Sequence, residues 1–295
     1  MTKYQGVKAA LLAAVLLPAG AAQASLTVQF FNGISNSVQS TSAGTGPLSL
    51  AGTDATADGR AVSGSAFVDY GIAKAVSSAT GSPFGQVQSE AVAAWSDQII
   101  ITTPGASSGF ITTRMAFDRQ FSFGAGGFSS NTFDFLFFAT QNSVGDLYFY
   151  QYNLNASFTT GLFANLFINN DGVTSSTVVS SLPDGSVTVD FLIPFTSGQM
   201  FTIGSNLNCS ARGNLATAVC DAGNSAYWGG IRSVTDGNGA VLADWSVSSV
   251  SGTNWQQSFI PATGAVPEPA AWAMLIAGFG LVGAMQRRRG RVVAA

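Results

Sequence analysis

The chain has 295 residues and a formal net charge of -3, with 9% charged and 46% hydrophobic residues, 34 Gly, 22 Phe, two Cys and no His. So few cations exclude a nucleic-acid binder, which needs a field of Lys and Arg against phosphates. The missing histidine removes Ser-His-Asp and Cys-His catalysis, imidazole zinc sites, and the one side chain that titrates near neutral pH.

The charge falls into three blocks. Lys3 and Lys8 make the first segment positive, and Arg287, Arg288, Arg289 and Arg291 outweigh Glu268 in the last. Between Ser25 and Val266 six cations stand against fourteen acids, a net of -8. In the first block the two lysines precede the apolar run Ala9 to Leu17, which leads into Pro18 and the small residues of Ala22-Gln23-Ala24. A basic start, a short apolar run and an A-x-A site predict a secretory signal helix over residues 1–24, cut after Ala24. The run is too short to span a bilayer, and it ends at a processing sequence rather than a helix cap. The partners this implies are the Sec translocon and signal peptidase, and the body is expected to fold where disulfides persist.

From Ser25 to Ser258 the pattern is one of short strands. Alternation is clearest at Asn131 to Phe137, at Val187 to Ile193, and at Tyr148, Tyr150, Tyr152 and Leu154. Leu26 to Phe31, Gln98 to Thr103, Phe110 to Phe117, Leu162 to Ile168, Phe201 to Ile203 and Val241 to Val247 complete the set. Asn32-Gly33, Asp58-Gly59, Asp171-Gly172, Asp184-Gly185, Asp236-Gly237 and Asn238-Gly239 suit hairpin turns that need positive φ. The expectation is one all-β domain over 25–258, of roughly ten to thirteen strands, built as an antiparallel β-sandwich or jelly roll.

Candidate chemistry in the body is thin. Cys209 and Cys220 enclose a short polar segment containing glycine, and in an oxidising compartment they are expected to form a disulfide. A catalytic thiol would have no histidine to activate it, and Arg212 is a poor base. Lys74 is the body's only lysine, and Gly71 stands where an S-x-x-K motif needs serine. Asp69, Glu90, Asp97, Asp118, Asp134, Asp146 and Asp190 lie near predicted strands, but sequence spacing does not set two carboxylates face to face for glycoside hydrolysis. Asn169-Asn170-Asp171-Gly172 and Asp236-Gly237-Asn238-Gly239 offer oxygen ligands for calcium without completing a calcium loop, so hairpin turns are the simpler reading. Tyr148, Tyr150 and Tyr152 could form a sugar-stacking strip or one wall of the core. No catalytic residue, metal site or cofactor is expected, and the body is read as non-enzymatic.

Residues 259–266 read as a linker. Beyond it stand Pro267-Glu268-Pro269, Trp272, and an uncharged run from Ala270 to Gln286, followed by the arginine cluster. Seventeen residues at about 1.5 Å each reach roughly 25 Å, enough for a short transmembrane helix over 270–286. The arginines would hold their end in the cytoplasm as a stop-transfer cluster, with Trp272 at the outer interface. The prolines around Glu268 exclude helix there and keep the tripeptide extended.

These four linked elements resemble the PEP-CTERM sorting signal, over residues 267–291, in the variant written PEPxxWA. The resemblance implies that Pro267, Glu268, Pro269 and Trp272 form a recognition and processing motif for exosortase, a membrane-embedded enzyme that uses a cysteine. It further implies that the cargo is first held in the inner membrane and then passed to the surface or exopolysaccharide matrix of a Gram-negative bacterium. Weaker resemblance to the wording of other PEP-CTERM cargo lies at Ser65 to Ala75, Ala93 to Ile101, the Cys209 to Cys220 segment running into Ala226 to Ile231, and Ser249 to Trp255. The function expected from residues and resemblance together is an exported structural protein of the surface or matrix, with exopolysaccharide as a possible contact. The alternatives are a glycan-binding or ice-binding sandwich module and, last, a secreted hydrolase.

Overall fold

The computed structural model describes residues 24–261 except 119, 125–126, 142–146, 158–160, 171–177 and 182–186; at 141, 147–157, 161–170, 178–181 and 224–225 it describes the backbone alone. The described residues hold sixteen strands and no helix. They are β1 (Ser25–Asn32), β2 (Ser37–Ala43), β3 (Leu48–Ala55), β4 (Ala61–Asp69), β5 (Ile72–Thr80), β6 (Val87–Thr102), β7 (Ser108–Phe117) and β8 (Gln120–Phe123). There follow β9 (Phe128–Gln141), β10 (Leu147–Ser157), β11 (Gly161–Asn170), β12 (Val178–Ser181), β13 (Val187–Thr196), β14 (Met200–Asn214), β15 (Thr217–Asp236) and β16 (Ser246–Ser249). Among the described residues no helix is long and apolar enough to cross a membrane. The expected signal helix and C-terminal span fall outside them, with only Ala24 inside, directly before β1.

All pairings are antiparallel and form two eight-stranded sheets. One runs β11-β10-β9-β14-β6-β1-β2 with β16 also on β6; the other runs β12-β13-β7-β15-β5-β4-β3 with β8 also on β15. Period-two burial turns one face of each sheet inward, as on β1, where Leu26, Val28 and Phe30 are buried while Thr27 and Gln29 are not. The two inner faces share one apolar cluster, which makes the body a sandwich. Across its middle Phe117 of β7 stacks on Phe133 and Phe135 of β9, with ring centroids 5.8 and 5.0 Å apart, and Phe137 meets Phe191 at 4.6 Å. At the β1 end the Phe30 ring lies on two glycines of the opposite sheet. A Cβ at Gly52 or Gly64 would come within 2.3 or 2.5 Å of ring carbons, so only glycine fits there.

The all-β, antiparallel expectation holds, with several differences of detail. There are more strands than expected, among them β2 and β3, which are mostly Ser, Thr, Ala and Gly and carry only Val38, Leu48 and Leu50 as large apolar residues, too few to show an alternation. The strand expected at Val241 to Val247 is absent: Val241 makes one bridge to Thr235, and pairing resumes only at β16. Asp58-Gly59 turns as expected, with Gly59 at φ 87°. At Asn32-Gly33 the left-handed residue is instead Asn36, at φ 54°, and Gly33 is required because a Cβ would lie 2.2 Å from the Gln88 carbonyl oxygen. In the Asp236 to Gly239 turn the left-handed residue is Gly239, at φ 87°. Asp171-Gly172 and Asp184-Gly185 lie outside the described residues.

Cys209 and Cys220 do form a disulfide, with Cα atoms 5.7 Å apart. The segment between them is not a free loop. Cys209 belongs to β14 and Cys220 to β15, strands of opposite sheets joined by a tight turn at Leu215 (φ 59°), and both cysteines are fully buried. The bond therefore staples one sheet to the other through the core.

Candidate functional site

Three fully buried tryptophans meet near the centre of the body: Trp95 on β6, Trp228 on β15, and Trp255 in the segment that follows β16. Trp95 and Trp255 stack with centroids 4.9 Å apart, and Trp228 presents its edge to both, at 6.4 and 5.2 Å. Pairs of this geometry add about 0.5–1.5 kcal/mol each beyond the area they bury. Beside them lies Asp97, also fully buried. Its Oδ2 accepts the Trp255 indole N–H at 2.7 Å and the Ser251 hydroxyl at 2.5 Å. Its Oδ1 accepts the backbone N–H groups of Ser251 and Gln98, at 3.1 and 2.8 Å.

This carboxylate is held by four donors, an indole, a hydroxyl and two backbone amides, all of them neutral. Its effect reaches Tyr70, whose phenol donates to the Gly44 carbonyl at 2.6 Å. Burial, helped by the charges of Asp97 and Asp69, pushes the Tyr70 pKa up to about 12. With both oxygens occupied and no solvent contact, Asp97 has no means of reaching a substrate. It anchors the chain end of the body instead.

The anchoring is detailed. β15 carries register shifts between Trp228 and Ile231 and again between Ile231 and Ser233, which bend the strand where Gly229 and Gly230 occur. Gly230 has φ 83°, and a Cβ there would lie 2.7 Å from the Gln256 carbonyl oxygen, so the final segment passes directly over it. That segment is tied down by Ile231 N–H to the Trp255 carbonyl at 3.2 Å, Trp228 Nε1–H to the same carbonyl at 2.9 Å, and Phe259 N–H to the Trp228 carbonyl at 2.8 Å. The Phe259 ring meets Trp255 edge-on at 6.3 Å. The compact unit accordingly ends at Ile260, and a separate unit begins at Pro261.

The residues singled out in the sequence are otherwise dispersed. Glu90 accepts from Asn208 Nδ2 at 2.6 Å on the outer face of the first sheet, Asp190 pairs with Arg114 at 2.6 Å, and Asp69 accepts the N–H of Tyr70. Asp134 lies in register with Asn208. Asp236 Oδ1 is taken up by the N–H groups of Asn238 and Ala240, an ordinary Asx turn, and no group of three acidic or thiol residues is placed to hold a metal among the described residues. Lys74 Nζ lies over the Phe67 and Tyr227 rings, at 5.9 and 5.7 Å from their centroids, beside a shallow trough of about 300 Å³. Tyr148, Tyr150 and Tyr152 register opposite Ala139, Phe137 and Phe135 of β9, and their side chains lie outside the description, as does Asp146. Asn169-Asn170-Asp171-Gly172 is described only in the backbone of its first two residues.

The Trp–Asp node was not singled out as a site by its chemistry. Asp97 stood in the sequence only as one of seven scattered acids near predicted strands, and Ala93 to Ile101, Ala226 to Ile231 and Ser249 to Trp255 drew attention by their wording, with nothing to join them. Ala22, Pro267, Glu268, Pro269, Trp272 and the arginines at 287, 288, 289 and 291 lie outside the described residues. Ser25, which would follow the expected cut, is the first residue of β1, its hydroxyl 2.9 Å from that of Ser96.

No curated protein matches the chain. Residues 265–289 match the family of the PEP-CTERM protein-sorting motif, covering the tripeptide, the apolar run and three of the four clustered arginines. The chain therefore carries a PEP-CTERM protein-sorting motif at residues 265–289, a mark for export and exosortase-type processing.

Proposed function

We propose that the chain is an exported surface or matrix protein whose β-sandwich is a passive structural body and whose C-terminal segment is a removable membrane anchor. The observation that carries this reading is the sorting motif at residues 265–289. Export through Sec with loss of residues 1–24, transient insertion of 270–286 with the arginines in the cytoplasm, and release near Pro267-Glu268-Pro269 complete the itinerary. The core disulfide supports it, because such bonds persist outside the cytoplasm. A structural, non-enzymatic body is supported by the occupation of Asp97 by four donors, which leaves the node no reactive oxygen.

Glycan binding by a sheet face is the second reading, and the trough beside Lys74 favours it. Ser49, Ser65 and Lys74 line it with polar groups, and Phe67 stands at its side.

The test is the intact mass and membrane fractionation of the native protein beside a Pro267→Ala/Glu268→Ala variant. The native protein is expected to lack both terminal segments, and the variant to be retained in the membrane at higher mass. Identical masses and locations would refute the processing role of the tripeptide.

A further inference from the structure

We propose that the outer edges of β2 and β3, unpaired among the described residues, join a second copy of the chain, the two sandwiches pairing edge to edge about a two-fold axis. β2 ends one sheet and β3 ends the other, and the short crossover between them places both edges on the same flank. Each is regular: β2 pairs with β1 from Ser37 to Ala43, and β3 with β4 from Leu48 to Ala55, neither with a register shift. Every residue of β2 but Ala43 is exposed.

An edge strand in this condition is a template for further pairing, which proteins normally block with charges, proline or bulges. All three devices are missing here. No Lys, Arg, Asp or Glu occurs from Gly33 through Thr53, and Pro47 lies in the crossover rather than in either strand. Asp54, near the end of β3, is engaged by Asn32 Nδ2 at 2.8 Å. Since the body as a whole carries an excess of acids, a neutral flank is where two copies meet with least repulsion.

The geometry points to a copy of the chain rather than a foreign peptide. An extended peptide supplies one strand, whereas this flank offers two edges in two layers, and another sandwich presents the same two. Antiparallel pairing of a strand with its own copy is two-fold symmetric, so one operation extends both sheets. In a centred register Ser40, the midpoint of β2, faces Ser40 of the other copy. Apart from Val38 and Gln39 the side chains of β2 are Ser, Thr and Ala, which provide no alternating pockets to select a different sequence. This inference does not depend on the sorting reading, because it uses only the body.

The experiment is sedimentation equilibrium of the natively folded protein across micromolar concentrations, beside Ser40→Lys/Ser42→Lys and Val38→Pro variants. A mass of two chains is expected for the wild type. The lysine pair sets like charges opposite one another and should weaken association at least about tenfold, and the proline removes an edge donor. Thr188→Lys, on the distant β13, should leave the dimer unchanged. Because an edge variant could also disturb β1, a Ser40→Cys variant provides an independent readout: oxidation should give a disulfide-linked homodimer. A monomer at all concentrations, a dimer indifferent to the edge variants, association only with another polypeptide, or failure of Ser40→Cys to cross-link would each overturn the proposal.

Discussion

Replacing Asp97 with Asn tests whether the node holds the end of the body. The change keeps side-chain shape but replaces one acceptor oxygen with an NH2 donor. If Nδ2 takes the place of Oδ2, it faces the Trp255 indole N–H, now a buried donor against a donor, and also the Ser251 hydroxyl, which already donates to that oxygen and lies 2.7 Å from Thr253 Oγ1. Turning the amide over moves the conflict to the Ser251 and Gln98 backbone N–H groups, so no rotamer satisfies all four donors. An unsatisfied buried donor costs about 1–3 kcal/mol, and loss of charge assistance in the remaining bonds adds to it, for a total of about 3 kcal/mol. In a domain of this size that lowers Tm by about 6–12 °C. Near-UV circular dichroism is the suitable assay, since the Trp95–Trp255 stack reports on the node directly. Ser251→Ala, which removes one donor and leaves the carboxylate its other three, should cost about 1–2 kcal/mol. A loss below about 1 kcal/mol for Asp97→Asn would refute the anchoring role.

The disulfide and one carboxylate give further tests. Cys209→Ser/Cys220→Ser should lose about 3 kcal/mol, the loop-closure value for a sequence separation of 11. In the wild type, thiol labelling under reductant should follow global unfolding because both cysteines are fully buried, and rapid labelling of the folded protein would contradict the burial. Asp58 accepts from the Thr56 hydroxyl and from Arg60, and these bonds hold its pKa near 2 rather than 3.8. The folded value lies below the unfolded one, so its stabilisation of the β3–β4 turn is complete above pH 3.8 and lost as pH falls toward 2. An NMR titration should find the low midpoint and Thr56→Val should raise it; a wild-type midpoint near 3.8 would contradict this reading.

Where side chains alternate between apolar and polar, the strands could be read directly, as at β9, β13 and the first part of β1. Where both faces carry small residues, they could not. β6 is buried almost throughout because it lies centrally between β1 and β14, so Ala91 to Trp95 shows no period to detect. Beyond Ile203, β14 is mostly Ser, Asn, Gly and Ala, with only Leu207 and Cys209 as larger apolar residues, so the Cys209 segment reads as polar rather than as a strand. Pairing across the core, which makes that segment a strand, is a property of distant neighbours. The same limit applies to Asp97: a single acid beside Trp95 carries no sign that Ser251 and Trp255 will surround it. The sorting motif needed no such information, because it is read as an extended local sequence.

Segments whose wording resembles that of other cargo converge on the one place in the described body where a carboxylate is sealed among tryptophans. A buried acid among aromatic rings invites a catalytic reading, and here the physics argues otherwise. A reactive acid needs a free lone pair and access for a substrate, and Asp97 has neither. What the arrangement does supply is a fixed attachment for Asn254 to Ile260, the residues from which the chain continues toward the sorting motif. A body held by a C-terminal anchor is loaded through that attachment for as long as the anchor remains. Backbone bonds from Ile231 and Phe259 and an indole locked to a buried charge resist being peeled away one residue at a time.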